Sequence, residues 1–203
     1  MIIRDAILSD CGRYRTRLTR ELWDERQTRP SHSRAVPNRR RKDLFGLHSE
    51  ENRQARPCTF IMLNPSTADA EADDATIRRC LGFAGAWGCN RLIVVNLFSW
   101  RATTPEALRV SVEPVGPGND EAILEAAEET VFANNPGPVV CAWGANGNWR
   151  DRSTQVKHLL HIHNIPVHCL QLTASGEPAH PLYLPKTAGP IPYDAVSKEA
   201  PAA

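Results

Sequence analysis

The sequence predicts an α/β fold: a three-layer sandwich around a central, mainly parallel, four-stranded sheet. Four short apolar runs rich in branched residues follow one another from residue 58 onward, and helical patterns lie between them. Continuous apolar runs are typical of buried parallel strands, and strands that alternate with helices favour a parallel sheet. The chain has 203 residues, 41% of them hydrophobic, so we expect a single domain with a sizeable core.

Each predicted strand ends in polar residues or in Gly and Pro. The strands are 58–63 (CTFIML), 91–98 (RLIVVNLF), 138–143 (PVVCAW) and 166–172 (PVHCLQL). Residues 1–25 precede them and read as an opening strand-and-turn region.

Three helices are predicted from apolar residues that recur every three or four positions. They span residues 73–87, 119–134 and 149–163. The second helix has acidic residues in its first turn. Asn119 or Asp120 is its expected N-cap, because a short polar side chain there can accept a hydrogen bond from a free backbone amide.

Composition suggests how the chain is divided. Residues 1–186 read as one domain with a basic, mobile insertion at 26–56, and residues 187–203 read as a loose tail. The whole chain is nearly neutral, but residues 13–56 hold twelve Arg and one Lys against six Asp and Glu. Arg suits bidentate contacts to phosphate. This region is therefore either a solvated arm or a surface that faces nucleic acid.

Several other classes of protein are excluded by the sequence. No apolar run approaches the roughly 18 residues of a membrane span, and the first residues lack the apolar core of a signal peptide. The six cysteines form no CxxC pair, so neither a zinc ribbon nor a compact iron–sulfur ligand run is indicated. We expect a cytoplasmic, monomeric protein that needs no metal and no other cofactor.

Polar residues stand at the ends of the predicted strands, where open α/β sheets bind their ligands. Asn64 follows the first apolar run, Asn96 lies near the end of the second, and His180 follows the fourth. Each also has a structural alternative: a turn for Asn64, a buried hydrogen bond for Asn96 and a loop cap for His180. Because the carboxyl ends of parallel strands meet at one edge of the sheet, we expect the three side chains to share a site.

Five segments together resemble the family called domain of unknown function 1643. They are MLNPSTADAEADDATIRRC, VVNLFSWRATTPEAL, PVGPGND, AWGANG and HPLYL. The resemblance covers about residues 12–185, and by itself it supplies no activity.

The order of motifs is also similar to that of the uracil-DNA glycosylase superfamily. Asn64-Pro65-Ser66 resembles its first-strand loop, Asn96 its base-reading asparagine, Ala142-Trp143-Gly144 its third turn and His180-Pro181 its closing loop. The chain also departs from that pattern. Ser66 replaces the usual Gly, the Asp that stands beside the first turn in the most reactive forms is absent, and the four cluster-binding cysteines of one branch cannot be matched.

This second resemblance implies a DNA glycosylase that hydrolyses the N-glycosidic bond of a base flipped out of the duplex. Asn64 would position the water, His180 would hydrogen-bond the leaving base, and Asp69 or Asp74 would assist. The residues expected around the base are Asn96, Pro65, Ser66, Phe98 and Trp87. Phe98 and Trp87 would stack on the base, and the alternative for each is a place in the core. The arginines expected to hold DNA phosphates are Arg101, Arg150, Arg152, Arg39, Arg40 and Arg41.

The resemblance leaves the substrate open. Because the activating Asp is absent, a modified base is at least as well favoured as uracil, and a hypermodified pyrimidine of phage DNA, removed in phage defence, is one candidate. Two alternatives remain. The same pocket would also suit an α/β enzyme that acts on a free nucleoside or nucleotide, and the basic segment would suit a non-catalytic module that binds nucleic acid.

Overall fold

A seven-stranded mixed sheet lies at the centre of the computed structural model, which describes residues 2–22, 55–66, 68 and 71–193. The strands are β1 (Ile2–Leu8), β2 (Arg15–Leu22), β3 (Pro57–Met62), β4 (Arg91–Asn96), β5 (Val139–Cys141), β6 (Val167–Cys169) and β7 (Ile191–Pro192). Their order across the sheet is β1-β2-β4-β3-β5-β6-β7. The basic segment predicted at 26–56 lies, apart from its last two residues, outside the described residues.

The four middle strands are those that the sequence predicts, and they run parallel to one another. In the register of the sheet, Phe60 of β3 lies between Val94 of β4 and Val140 of β5, and β6 continues beyond β5. The α/β class is therefore confirmed. The prediction of a four-stranded sheet is incomplete, because an antiparallel β1–β2 hairpin adds to β4, and β7 adds to β6 in the antiparallel sense. These additions cover two strand edges that would otherwise present unpaired backbone groups.

The helices pack on both faces of the sheet. They are α1 (Ala75–Ala86), α2 (Pro105–Arg109), α3 (Asn119–Val131) and α4 (Arg152–Ile162), with 3-10 turns at Ala145–Asp151 and Pro181–Tyr183. Successive strand residues point to opposite faces. In β4, Leu92 and Val94 accordingly pack in the core with α1, whereas Ile93 and Val95 pack in the core with α3 and α4. The result is three layers.

The start of α3 differs from its prediction. Its N-cap is Gly118, with φ +67°, and no side chain caps the helix there. Asn119 is buried instead, and its Nδ2 donates to the main-chain oxygens of Asn96 and Leu97, both at 3.0 Å. The side chain expected to cap a helix therefore fixes the end of β4.

The sheet also extends past residue 186, where the sequence predicts a loose tail to begin. Residues 191–192 form β7, and the neighbouring Tyr193 is buried, with its ring centroid 6.2 Å from that of Trp143. Residues 194–203 lie outside the described residues.

Candidate functional site at the carboxyl edge of the sheet

A cavity of about 790 Å³ opens at the carboxyl ends of the parallel strands. β3 is flanked by β4 on one side and β5 on the other, so the connections that leave β3 and β5 diverge at this edge. Open α/β sheets bind ligands at such a switch point. The residues of the predicted site that line the cavity are Asn64, Ser66, Asp74, Asn96 and His180.

Asn96 is the most unusual residue of this cavity. It is the last residue of β4, it lies on the α1 side of the sheet by the alternation of Leu92 and Val94, and it is 1% exposed. Neither Nδ2 nor Oδ1 of its amide has a hydrogen-bond partner among the described residues. A buried amide without partners costs free energy of about 1–3 kcal/mol. A ligand with an adjacent donor and acceptor would satisfy both atoms.

The backbone that carries Asn96 is fixed from the opposite face of the sheet. Besides the two bonds from Asn119, the Nε of Arg152 donates to Leu97 O at 2.8 Å, and the same guanidinium pairs with Asp120. Arg152 is 3% exposed. Its enclosed guanidinium does not support the phosphate contact predicted for it. Arg152 acts as a brace for the end of β4.

Asn64 presents one defined acceptor to the cavity region. Its Nδ2 donates to Pro65 O at 3.0 Å and to Ala102 O at 2.7 Å, so both amide hydrogens are engaged by backbone. None of the hydrogen bonds among the described residues uses its Oδ1. The orientation of the amide is therefore fixed, and Oδ1 can accept a hydrogen bond from a water or a ligand.

His180 presents a donor. Its Nδ1 accepts a hydrogen bond from Leu182 N at 3.3 Å. Burial lowers the pKa of His180, against an opposing effect of the Asp74 carboxylate, so the neutral imidazole is favoured at pH 7. When Nδ1 accepts, the proton of a neutral imidazole resides on Nε2, which leaves Nε2–H as the donor.

Asp74 has a structural role as well as a place in the cavity wall. Its carboxylate caps α1 by accepting a hydrogen bond from Ile77 N at 2.8 Å. The cap holds the carboxylate at the start of the helix, within electrostatic reach of His180. Asp69, the other predicted acid, lies outside the described residues.

Buried arginines of β2 brace the segment that runs from Asn64 to Asp74. Arg20 is fully buried, and its Nε donates to Asp73 Oδ1 at 2.7 Å. Arg15, which lines the cavity, donates through Nη1 to Ala68 O. The hairpin added at the sheet edge therefore supports the loop of the candidate site.

The turn after β5 forms another wall of the cavity. Gly144 has φ +76°, a conformation that favours glycine, and its N–H donates to Pro178 O at 2.8 Å. Trp143 is buried, and its Nε1 donates to Glu177 Oε2 at 2.5 Å. A Cβ on Gly147 would lie 1.9 Å from Trp143 Cδ1. Gly144 is therefore favoured by its positive φ, and Gly147 by the close packing of the Trp143 indole.

Two aromatic residues predicted to stack on a base lie elsewhere. Because β4 ends at Asn96, the strand alternation does not extend to Phe98, which packs in the α3–α4 core with its ring centroid 5.0 Å from that of Trp149. Trp87 follows the far end of α1, about 15 Å along the helix axis from the cavity-lining Ile77, and stacks on Phe60 and Phe83. These placements do not support stacking on a ligand in this cavity.

The remaining predicted arginines divide into two groups. Arg101 precedes the cavity-lining Ala102, and its Nη1 donates to Gly12 O at 3.4 Å. Arg150 is exposed and lies over the Trp149 ring at 4.8 Å. Both remain available to an anionic partner. Arg39, Arg40 and Arg41 lie outside the described residues.

Sequence reasoning missed the roles of Arg15 and Asn119 in the site. Arg15 belongs to a run that reads as basic surface and Asn119 stands at an expected helix cap, and the burial of such residues depends on partners distant in sequence. Trp143, by contrast, belongs to the third-turn motif that the sequence indicates.

Within the part of the chain that the structure describes, no three His, Cys, Asp or Glu side chains are grouped as metal ligands. None of the described helices is long and apolar enough to cross a membrane.

Comparison with known proteins gives a family. No curated protein and no solved structure matches the chain. The profile of the family described as protein of unknown function DUF1643 matches residues 45–182, which include every cavity-lining segment after β2 up to Leu182. This match covers more than half of the sequence, and the chain therefore belongs to the DUF1643 family.

Proposed function

We propose that this protein is a DNA glycosylase that hydrolyses the N-glycosidic bond of a flipped-out, modified base, with a hypermodified pyrimidine of phage DNA as the first candidate and phage defence as its role. The observation that carries the proposal is the buried Asn96 amide at the cavity wall, whose donor and acceptor both lack a partner among the described residues. The Watson–Crick edge of a base offers the complementary acceptor and donor side by side.

The reaction needs a water held near the sugar. Hydrolysis breaks the bond between C1′ and the base nitrogen, and the electron pair of that bond leaves with the base. The water oxygen bonds to C1′, and the proton that it loses passes through solvent to the base anion. Asn64 supports this step because its amide is fixed through Nδ2, and its Oδ1, which accepts no hydrogen bond from the described residues, can orient the water. The Asp74 carboxylate would stabilise the positive charge that develops on the sugar.

The leaving base carries the developing negative charge. A neutral His180 with its proton on Nε2 would donate a hydrogen bond to a base oxygen. Such a donor stabilises the departing anion more than the ground state, which is what lowers a barrier. Arg101 and Arg150 would contact the phosphates and orient the strand.

A second candidate function uses the same side chains on a smaller substrate. The cavity has a volume of about 790 Å³, within the range of small-molecule pockets. The enclosed Arg152 also removes one of the expected phosphate contacts. Both observations favour an α/β enzyme that acts on a free nucleoside or nucleotide as the alternative.

Base release from DNA tests the proposal. The full-length protein is incubated with uracil-containing duplex, ordinary duplex and phage DNA that carries modified cytosines or guanines. Abasic sites are detected by alkaline cleavage, and the free base is identified by mass. We expect Asn64→Ala, Asn96→Ala and His180→Ala each to reduce release at least about a hundredfold.

Exposed residues of the same types supply matched controls: Asn134→Ala and His161→Ala should release base at the wild-type rate. Wild-type release by all three site variants would overturn the assignment of the site. Turnover of free nucleosides without release from DNA would favour the second candidate. Salt-sensitive DNA binding without release, unchanged in Asn64→Ala, would indicate a binding module.

A further inference from the structure

His180 lies between a stretch held by backbone hydrogen bonds and a turn held through α1. Before it, Gly144 N donates to Pro178 O and Ala179 N donates to Gln171 O, both at 2.8 Å. Among the described residues, the hydrogen bonds that join residues 181–184 to another element all come from Arg79. Its Nε donates to Pro181 O at 3.4 Å, and its Nη2 donates to Leu184 O. The other hydrogen bonds of this stretch close the loop on itself, including those from Leu182 N and Tyr183 N to His180.

Arg79 is itself held in place. It is half-buried, and its guanidinium lies 5.0 Å from the centroid of the Phe83 ring, one turn further along α1. A planar guanidinium stacked on an aromatic ring loses little further freedom when it donates to two carbonyls. The helix that begins at the Asp74 cap therefore also fixes the His180 loop, and both ends of this connection lie at the cavity.

The rest of the loop has few other anchors. Pro181 and Leu184 are buried, but Leu182 and Tyr183 are exposed, and Tyr183 is 83% exposed. The imidazole of His180 contacts this exposed turn, with its ring centroid 5.6 Å from that of Tyr183. Without the two bonds from Arg79, the hydrogen bonds left to residues 181–184 within the described part of the chain are the turn's own. The turn would otherwise be anchored by two buried apolar side chains and by its connection to residues 178–179.

We propose that Arg79 is a positioning residue that keeps His180 at the cavity by holding the 180–184 loop against α1. Its guanidinium is engaged by the protein and needs no contact with a substrate. The effect on the loop is a property of the free protein. Only its consequence for catalysis rests on the proposed function.

Amide hydrogen exchange of the full-length protein, followed by mass spectrometry, tests the structural part. In Arg79→Ala, the amides of residues 182–184 should exchange about tenfold faster or more, because the loop opens more often. A peptide from β4 should exchange as in wild type, which shows that the fold is kept. Arg78→Ala, which removes a guanidinium from the adjacent exposed position, should leave the 182–184 amides unchanged.

Exchange of the 182–184 amides in Arg79→Ala within about twofold of wild type would overturn the inference. If Arg79→Ala does not fold, Arg79→Lys replaces it. Lys keeps the charge but lacks the planar fork, so we expect intermediate exchange, and wild-type exchange in a folded Arg79→Lys together with an unfolded Arg79→Ala would overturn the role.

Kinetics test the catalytic consequence once a substrate releases base. Arg79→Ala should lower kcat about tenfold or more with a smaller change in KM, and Arg79→Lys should restore part of kcat. Unchanged kcat with a loosened loop would overturn the positioning role. Loosened exchange in a protein that releases no base from any substrate would contradict the proposed function and leave the role of Arg79 in the loop standing.

Discussion

Asn96 and Asn119 lie at the same strand end and use their amides differently. Asn119 donates both amide hydrogens to the backbone oxygens of residues 96 and 97, and so supplies these oxygens with hydrogen bonds where β4 ends. Asn96 keeps its amide unpaired at the cavity. Asn119 makes the position rigid, and no described residue pairs with the amide of Asn96. The recognition role proposed for Asn96 would use this preorganised position.

Gly147 tests the packing of the cavity wall. Because a Cβ at this position would overlap the Trp143 indole at 1.9 Å, Gly147→Ala must displace the indole or the backbone. We expect the free energy of unfolding to fall by about 1–3 kcal/mol. Urea denaturation followed by circular dichroism measures the change.

Gly82→Ala supplies the control for Gly147→Ala. Gly82 lies inside α1, and a Cβ there would meet no heavy atom within 4 Å. Alanine is favoured over glycine in a helix interior, so Gly82→Ala should stabilise the protein by about 0.5–1 kcal/mol. Equal effects of the two substitutions would contradict the close contact with Trp143.

His180 predicts a pH dependence of stability. Burial lowers its pKa below the ordinary value of 6.5, so the unfolded chain takes up a proton at a higher pH than the folded protein. The stability that the neutral imidazole contributes is fully present above the unfolded pKa. It is lost as the pH falls from 6.5 towards the lowered pKa of the folded protein. Urea denaturation between roughly pH 5 and pH 8 should show a weaker pH dependence in His180→Gln. Identical curves would contradict a lowered pKa.

At the scale of elements, β2 supports the candidate site. It lies between the edge strand β1 and β4, and its arginines read as part of a basic surface in the sequence. In the structure, Arg20 is fully buried with Asp73, and Arg15 is 2% exposed beside Ala68. Their side chains reach the loop between β3 and α1. The hairpin therefore links the edge of the sheet to the segment that carries Asn64 and Asp74.

The Arg20–Asp73 pair gives a test of this brace. The Asp73 carboxylate also lies 3.4 Å from Nη2 of Arg4, a largely exposed side chain. Arg20→Met removes the buried partner and leaves this weaker contact, so it should lower the free energy of unfolding by up to about 3–5 kcal/mol. The double variant Arg20→Met with Asp73→Leu should recover part of that loss, because no buried charge is left without its partner and Arg4 can be solvated. Chemical denaturation of the single and double variants measures both effects. A loss below about 1 kcal/mol in the single variant would contradict a buried, structural pair.

The elements could be predicted to different extents. The four parallel strands and three longer helices follow from apolar runs and spacing, which are local signals, and their observed bounds lie close to the predicted ones. The edge strands β1, β2 and β7 could not be assigned to the sheet, because their pairing depends on strands distant along the chain. The N-cap of α3 failed for a similar reason, since Asn119 finds its partners in β4.

The residues of the candidate site also differ in how far local signals predict their positions. The direction of the parallel strands is enough to place Asn64, Asn96 and His180 at one edge of the sheet. Phe98 could not be placed because the alternation of side chains stops where β4 ends, before this residue. Trp87 could not be placed because it follows the end of α1 that lies away from the cavity. Arg79 could not be assigned to the His180 loop, because its two carbonyl partners lie more than a hundred residues away.

At the scale of the whole molecule, the two outer strands of the sheet lie far apart in sequence, since β1 is the first strand and β7 the last. β1 and β2 come first in sequence, yet β2 pairs with β4 and not with β3, the next strand to be made. The helices α1, α3 and α4 then cover the faces. The candidate site takes residues from nearly every layer of this arrangement, so its geometry depends on the completed sheet.

The placement of β2 has a consequence for synthesis on the ribosome. About seventy residues separate β2 from its partner β4, and at 5–20 residues per second the hairpin waits roughly 3–14 seconds for that strand to be translated. During this interval the edge of β2 that later binds β4 stays open, and its apolar and arginine side chains have no core to enter. Nascent chains would therefore be most exposed to mispairing and to chaperones before residue 96 emerges.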